Sequence, residues 1–101
     1  MPAVVRFHRS AQRELARAAA QYEDHAEGLG DRFLDEVEAA VGLLSEHPEA
    51  GEVIVRRPRR PIRRWVLERF PFTLIYVPGD GLRVLAVAYS RRKPGYWSAR
   101  R

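Results

Sequence analysis

Phe72-Thr-Leu-Ile-Tyr-Val77-Pro-Gly-Asp-Gly81-Leu-Arg-Val-Leu-Ala-Val-Ala-Tyr89 is the stretch that decides the fold. Two runs rich in β-branched and aromatic residues flank Pro78-Gly79-Asp80-Gly81. That tetrad is a strong turn signal, so the runs pair as an antiparallel hairpin. The second run, Leu82 to Ser90, is apolar on both faces. Strict alternation places Val84, Ala86 and Ala88 on one face and Leu85, Val87 and Tyr89 on the other. Upstream, Arg64 to Phe70 alternates weakly and Pro71 ends it, which makes a three-stranded meander.

Working outward, the segment from Glu49 to Ile62 reads as a loop. It holds Gly51, Pro58 and Pro61, with Arg56, Arg57, Arg59 and Arg60 around the prolines. Val53-Ile54-Val55 is a candidate short strand within it. Before the loop come two helices. Leu15, Ala18, Ala19, Tyr22 and Ala26 share one helical face, with Ser10 as the expected N-cap. Gly28-Leu29-Gly30 breaks that helix. Asp31 is the expected cap of the next, whose stripe is Phe33, Leu34, Val37, Ala40, Val41 and Leu44. His47-Pro48 ends it, because a residue before proline avoids the helical region. So short a link makes the helices an antiparallel hairpin. Val4 to His8 reads as a first strand.

One α+β domain over residues 1–101 follows: N-terminal strand, antiparallel helical hairpin, three-stranded antiparallel meander. Its sheet should be mostly antiparallel with both helices on one face. Two such helices cannot cover both faces. The second is covered either by a partner chain or by the C-terminal segment, with Tyr89 and Trp97 folding back.

Composition sets further bounds. With no cysteine there is no disulfide, thiolate metal site or thiol nucleophile, which suits the cytoplasm. The start shows no signal peptide, and the longest apolar run, Val84 to Tyr89, is far short of a membrane span. The net charge of +5 is unevenly divided. Residues 1–50 hold 5 Arg against 10 Asp and Glu; residues 51–101 hold 12 Arg and 1 Lys against 3. Arginine forks hold phosphate or carboxylate bidentately, so the second half calls for an acidic or polyanionic partner.

Four stretches carry a resemblance. They are Ala11-Gln-Arg-Glu-Leu15, Gly28-Leu-Gly-Asp-Arg-Phe-Leu34, Arg63-Arg-Trp-Val-Leu-Glu-Arg-Phe-Pro-Phe-Thr-Leu-Ile-Tyr76 and Val84-Leu-Ala-Val-Ala-Tyr-Ser-Arg-Arg-Lys-Pro-Gly-Tyr-Trp97. In this order, over nearly the whole chain, they resemble the RelE/ParE superfamily of bacterial type II toxin-antitoxin toxins. The resemblance implies growth inhibition, a role such as plasmid stabilisation, and neutralisation by an acidic ParD/RelB-like antitoxin from a neighbouring gene. RelE-like members cut mRNA on the ribosome, whereas ParE-like members bind and poison DNA gyrase. Neither role implies a cofactor, a metal or a membrane.

Metal-free RNA cleavage needs a base, cations facing the phosphorane and an acid for the leaving oxygen. On the endonuclease reading Arg64, Arg69, Arg91 and Tyr96 would be catalytic, with Glu68 as the nearby carboxylate. His8, His25 and His47 all lie in the first half and read as solvated or capping residues. Tyr89-Ser90 stands where many relatives keep a histidine before Arg91-Arg92, and an unperturbed phenol (pKa about 10) is a poor base. The Gly-Leu-Gly hairpin and the ending Arg91-Arg92-Lys93-Pro94-Gly95-Tyr96-Trp97 resemble the ParE-like branch, which is the favoured reading. Antitoxin or target binding is then expected at Arg64, Trp65, Arg69, Tyr89, Arg91, Arg92, Tyr96 and Trp97. A basic nucleic-acid-binding module is the remaining alternative, although both helices lie in the acidic half and show no recognition-helix pattern.

Overall fold

A computed structural model describes residues 4–100. Its elements are β1 (Val5–Phe7), α1 (Arg9–His25), α2 (Leu29–Glu46), β2 (Glu52–Val55), β3 (Ile62–Val66), β4 (Phe72–Gly79) and β5 (Gly81–Tyr89). The strands form one sheet in the order β1-β5-β4-β3-β2. The meander β3-β4-β5 is antiparallel as expected, and β2 extends it at one edge. At the other edge β1 runs parallel to β5, pairing only with Leu82 to Val84. Gly81 adopts φ +86, and a Cβ there would collide with the Val4 carbonyl, so only glycine lets β1 lie this close.

The N-caps of the two helices lie two and three residues before the expected ones. The Nδ1 atom of His8 accepts from the Ser10 amide at 3.0 Å, so His8 rather than Ser10 is the N-cap of α1. Gly28, at φ +82, begins α2 with no side-chain cap of its own. Glu23 of α1 reaches across the turn instead, and its two oxygens accept from the Gly28 and Gly30 amides at 2.9 and 3.0 Å. Asp31 therefore contributes a first-turn charge, not the cap.

The main core lies between the helices and the sheet. Phe33, Val37, Ala40 and Leu44 of α2 and Ala11 and Ala18 of α1 pack on Leu74, Tyr76, Leu82, Val84 and Val87. Tyr22, Phe33, Phe70 and Phe72 form an aromatic cluster, with ring centroids 4.9–5.3 Å apart in its closest pairs. Leu34, expected on the stripe, is exposed.

A β-bulge corrects the simple alternation read for β5. Ile75 pairs with Ala86 while Tyr76 pairs with Val84, leaving Leu85 as the extra residue. Val84 and Val87 thus both face the helices, and Leu85, Ala86 and Ala88 share the opposite face. There they join Ile62, Ile75, Val77 and Trp97 in a second core. The C-terminal segment does cover much of this face, through Trp97, which is buried. Tyr89 does not take part: it lies on the helix side, its ring 5.5 Å from Phe72.

Candidate functional site

Because β1 stops at Phe7, the outer edge of β5 beyond Val84 is open. An open edge leaves backbone donors and acceptors needing partners. Glu14 of α1 and Arg100 supply them. Glu14 Oε1 accepts from the Val87 amide at 3.0 Å, and Arg100 Nη1 donates to the Leu85 carbonyl at 3.0 Å. The two side chains also pair with each other, Nη1–Oε1 at 2.9 Å and Nη2–Oε2 at 3.0 Å. The Tyr96 hydroxyl donates to Glu14 Oε2 at 2.6 Å. Glu14 is thus the centre of a clasp joining α1, the β5 edge and the C-terminal segment.

The clasp sets the protonation of its members. Burial pushes the Glu14 carboxyl up, but hydrogen bonds from Arg100, Tyr96 and the Val87 amide outweigh it, so Glu14 ionises below its ordinary value. The Tyr96 phenol is shifted far the other way, by burial first and then by its bond to the Glu14 carboxylate. It is held as a neutral donor.

Beside the clasp, α1 and the end of β5 enclose a groove of about 730 Å³. Tyr22, Phe72, Val87 and Tyr89 give it apolar walls; Arg13, Arg17 and Arg92 give it cations. The Arg92 guanidinium stands 4.1 Å from the Tyr96 ring centroid, within cation–π range. Acidic and apolar groups together are what such a surface accepts.

The expected site residues separate into distinct places. Tyr89, Arg92 and Tyr96 come together in the α1 groove. Trp65 and Arg69 line a second groove, against α2, with Leu43 and Val66. There the Glu36 carboxylate accepts from the Glu68 and Arg69 amides at 2.7 and 3.2 Å, fixing the turn that carries both residues. Arg64 is on the far face of the sheet, paired with Glu52 at 2.6 Å. Arg91 is exposed in the turn after β5, and Trp97 is buried in the second core. Arg64, on the far face, and Arg69, in the α2 groove, are therefore apart, and the Tyr96 proton is committed to Glu14. No group of His, Asp and Glu with metal-holding geometry occurs among the described residues.

Sequence reasoning missed Glu14, Arg13, Arg17 and Arg100. For Glu14 the signal was present. It lies three residues after Ala11 and four before Ala18, on the buried stripe of α1. A carboxylate on an apolar helical face needs a partner. Arg100, 86 residues away, gave no local sign of being that partner.

A helical hairpin on one face of a short sheet, with a cation-bearing groove beside the last strand, defines a small α+β domain. The family model described as the ParE toxin of the type II toxin-antitoxin system parDE matches residues 5–94. The chain therefore belongs to the ParE toxin family, and it is the toxin component of a type II toxin-antitoxin system. No curated protein matches it. No helix among the described residues is long and apolar enough to cross a membrane.

Proposed function

We propose that the protein inhibits growth by binding DNA gyrase in the cytoplasm and that a cognate acidic antitoxin neutralises it. The observation that carries the binding reading is the placement of Tyr96. Its phenol donates to Glu14 at 2.6 Å and is shielded by Arg92, so it serves as a structural anchor and not as an available acid. The separation of Arg64, on the far face of the sheet, from Arg69, in the α2 groove, supports the same reading, because phosphoryl cleavage needs its groups converging on one phosphate.

The α1 groove is the proposed antitoxin site. Arg13, Arg17 and Arg92 attract carboxylates, and Tyr22, Phe72 and Tyr89 accept apolar side chains between them. Tyr89 is 45% exposed and already rests on Phe72, so a partner gains a large preorganised surface there. Arg64, Trp65, Arg69 and Arg91 lie outside this groove and remain available to the target.

Supercoiling by purified gyrase, with and without this protein, tests the target. Inhibition at micromolar protein, relieved by the product of the adjacent short gene, is expected. Full supercoiling activity together with codon-positioned cuts in ribosome-bound message would overturn the reading in favour of an endonuclease.

A further inference from the structure

The arginines of the β2–β3 loop belong to neither groove. Arg57, Arg59 and Arg60 converge with Arg83 of β5 and Arg100 around a basin of about 790 Å³ on the sheet face away from the helices. Its floor is Val77 and Leu85, and no carboxylate lines it. The loop is shaped rather than slack. Pro58 and Pro61 flank Arg59 and Arg60 within it, the Arg57 Nε donates to the Arg60 carbonyl at 3.2 Å, and the Arg60 amide donates to the Pro58 carbonyl at 2.9 Å. Arg59 takes φ +74, a conformation rarely adopted by residues with a side chain. The Arg60 guanidinium folds over the β4–β5 turn, 3.6 Å from where a Cβ on Gly79 would stand.

These cations lack counter-charges. The ion pairs among the described residues are Arg64 with Glu52 and Arg100 with Glu14. Arg100 is thereby neutralised, leaving Arg57, Arg59, Arg60 and Arg83 without a carboxylate among those residues. Arg6 stands directly beside Arg83 in the β1–β5 register, on the same face, and adds a further like charge. Like charges side by side on a sheet are unfavourable, and an anion laid across them removes the repulsion.

We infer that this basin binds the phosphodiester backbone of a nucleic acid. Arginine forks grip phosphate oxygens bidentately, and a polyanion with closely spaced charges satisfies several at once. No aromatic side chain lines the basin, so there is no platform for base stacking, and recognition is of backbone rather than sequence. An acidic peptide fits less well. The basin lies on a sheet face and not an open edge, so it offers no strand-pairing hydrogen bonds, and Val77 and Leu85 give little depth for side-chain anchors. The inference does not depend on gyrase being the target.

Fluorescence anisotropy of the purified protein with a labelled DNA duplex, and separately with a single-stranded RNA of equal length, tests it. Binding should weaken with salt with a log–log slope of about −3 to −4 on the duplex, roughly a hundredfold between about 50 and 200 mM. Whichever strand type binds identifies the source of the phosphates. The triple variant Arg59→Ser/Arg60→Ser/Arg83→Ser should lose most of that slope, by about one per arginine. Arg59→Lys/Arg60→Lys/Arg83→Lys should keep the slope with reduced affinity. The charge-matched Arg9→Ser/Arg32→Ser/Lys93→Ser should keep most of it. Absence of binding at low salt, an equal loss in the charge-matched variant, or equal displacement of the duplex by polyglutamate would each overturn the site. The Ser triple should still inhibit supercoiling if gyrase is the target, so the two readings fail separately.

Discussion

His8 shows how one side chain ties helix capping to pH. A histidine caps a helix through a ring nitrogen only while that nitrogen is unprotonated, and a positive charge at a helix N-terminus opposes the helix dipole. Partial burial lowers the His8 pKa below 6.5, and Arg100 and Arg83 nearby lower it further. A histidine whose native pKa is depressed stabilises the fold above the unfolded value and loses that contribution as pH falls through the native one. His8→Ala should therefore cost about 1 kcal/mol at neutral pH. The gap between variant and wild type should close as pH falls below about 6, in denaturation midpoints followed by circular dichroism. A gap that stayed constant across that range would rule out Nδ1 capping as its origin. Glu14 runs in the same direction at lower pH: its clasp is complete above 4.5 and fails as the carboxyl protonates below it.

At the scale of elements, the helical hairpin depends on a glycine with no freedom to grow. A Cβ on Gly30 would stand 2.6 Å from the Ala19 carbonyl and 2.9 Å from a Glu23 oxygen. Gly30→Ala must push α1 from α2 and break the Glu23 bridge to the α2 amides. A loss of about 2 kcal/mol is expected, against the gain that Ala normally brings to a helix interior. Equilibrium urea unfolding measures it, and a variant as stable as wild type would mean the helices are free to separate at that point. The sequence announced this hairpin well, since Gly28-Leu29-Gly30 and two apolar stripes mark both helices and their turn. The meander was equally legible from Pro71 and Pro78-Gly79-Asp80-Gly81, and β2 from Val53-Ile54-Val55. The bulge at Leu85 was not. With Val, Leu or Ala at every position from 84 to 88, either register buries apolar groups, so the pattern carries no information about which residue is extra. The sites suffered from a different blindness. Tyr89, Arg92 and Tyr96 are close in sequence and their grouping could be read. Arg57, Arg59, Arg60 and Arg83 are gathered by strand pairing, and Glu14 with Arg100 by the closure of the whole chain.

Taken whole, the molecule separates its charges by layer. The acidic first half supplies β1 and both helices, which cover one face of the sheet; the basic second half supplies the loop, the other four strands and the C-terminal segment around the other. Trp97 seals much of that far face, so the same segment that closes the second core also brings Arg100 to the basin rim and Tyr96 and Arg92 to the α1 groove. The proposed antitoxin groove and the proposed phosphate basin are thus mechanically joined at one short stretch.

The Glu14–Arg100 contact closes a loop of 86 residues. Contacts that distant carry the largest loss of chain entropy and are favoured only after local structure has shortened the path. The helical hairpin and the meander provide that shortening, which predicts that the clasp forms in the last step of folding, after the rate-limiting barrier. Stopped-flow measurements on Glu14→Gln should accordingly show a faster unfolding limb and an almost unchanged folding limb. A folding limb slowed in proportion to the lost stability would place the clasp in the nucleus instead. On the first outcome, the clasp acts as a kinetic lock, governing how long the native state lasts and not how quickly it is reached.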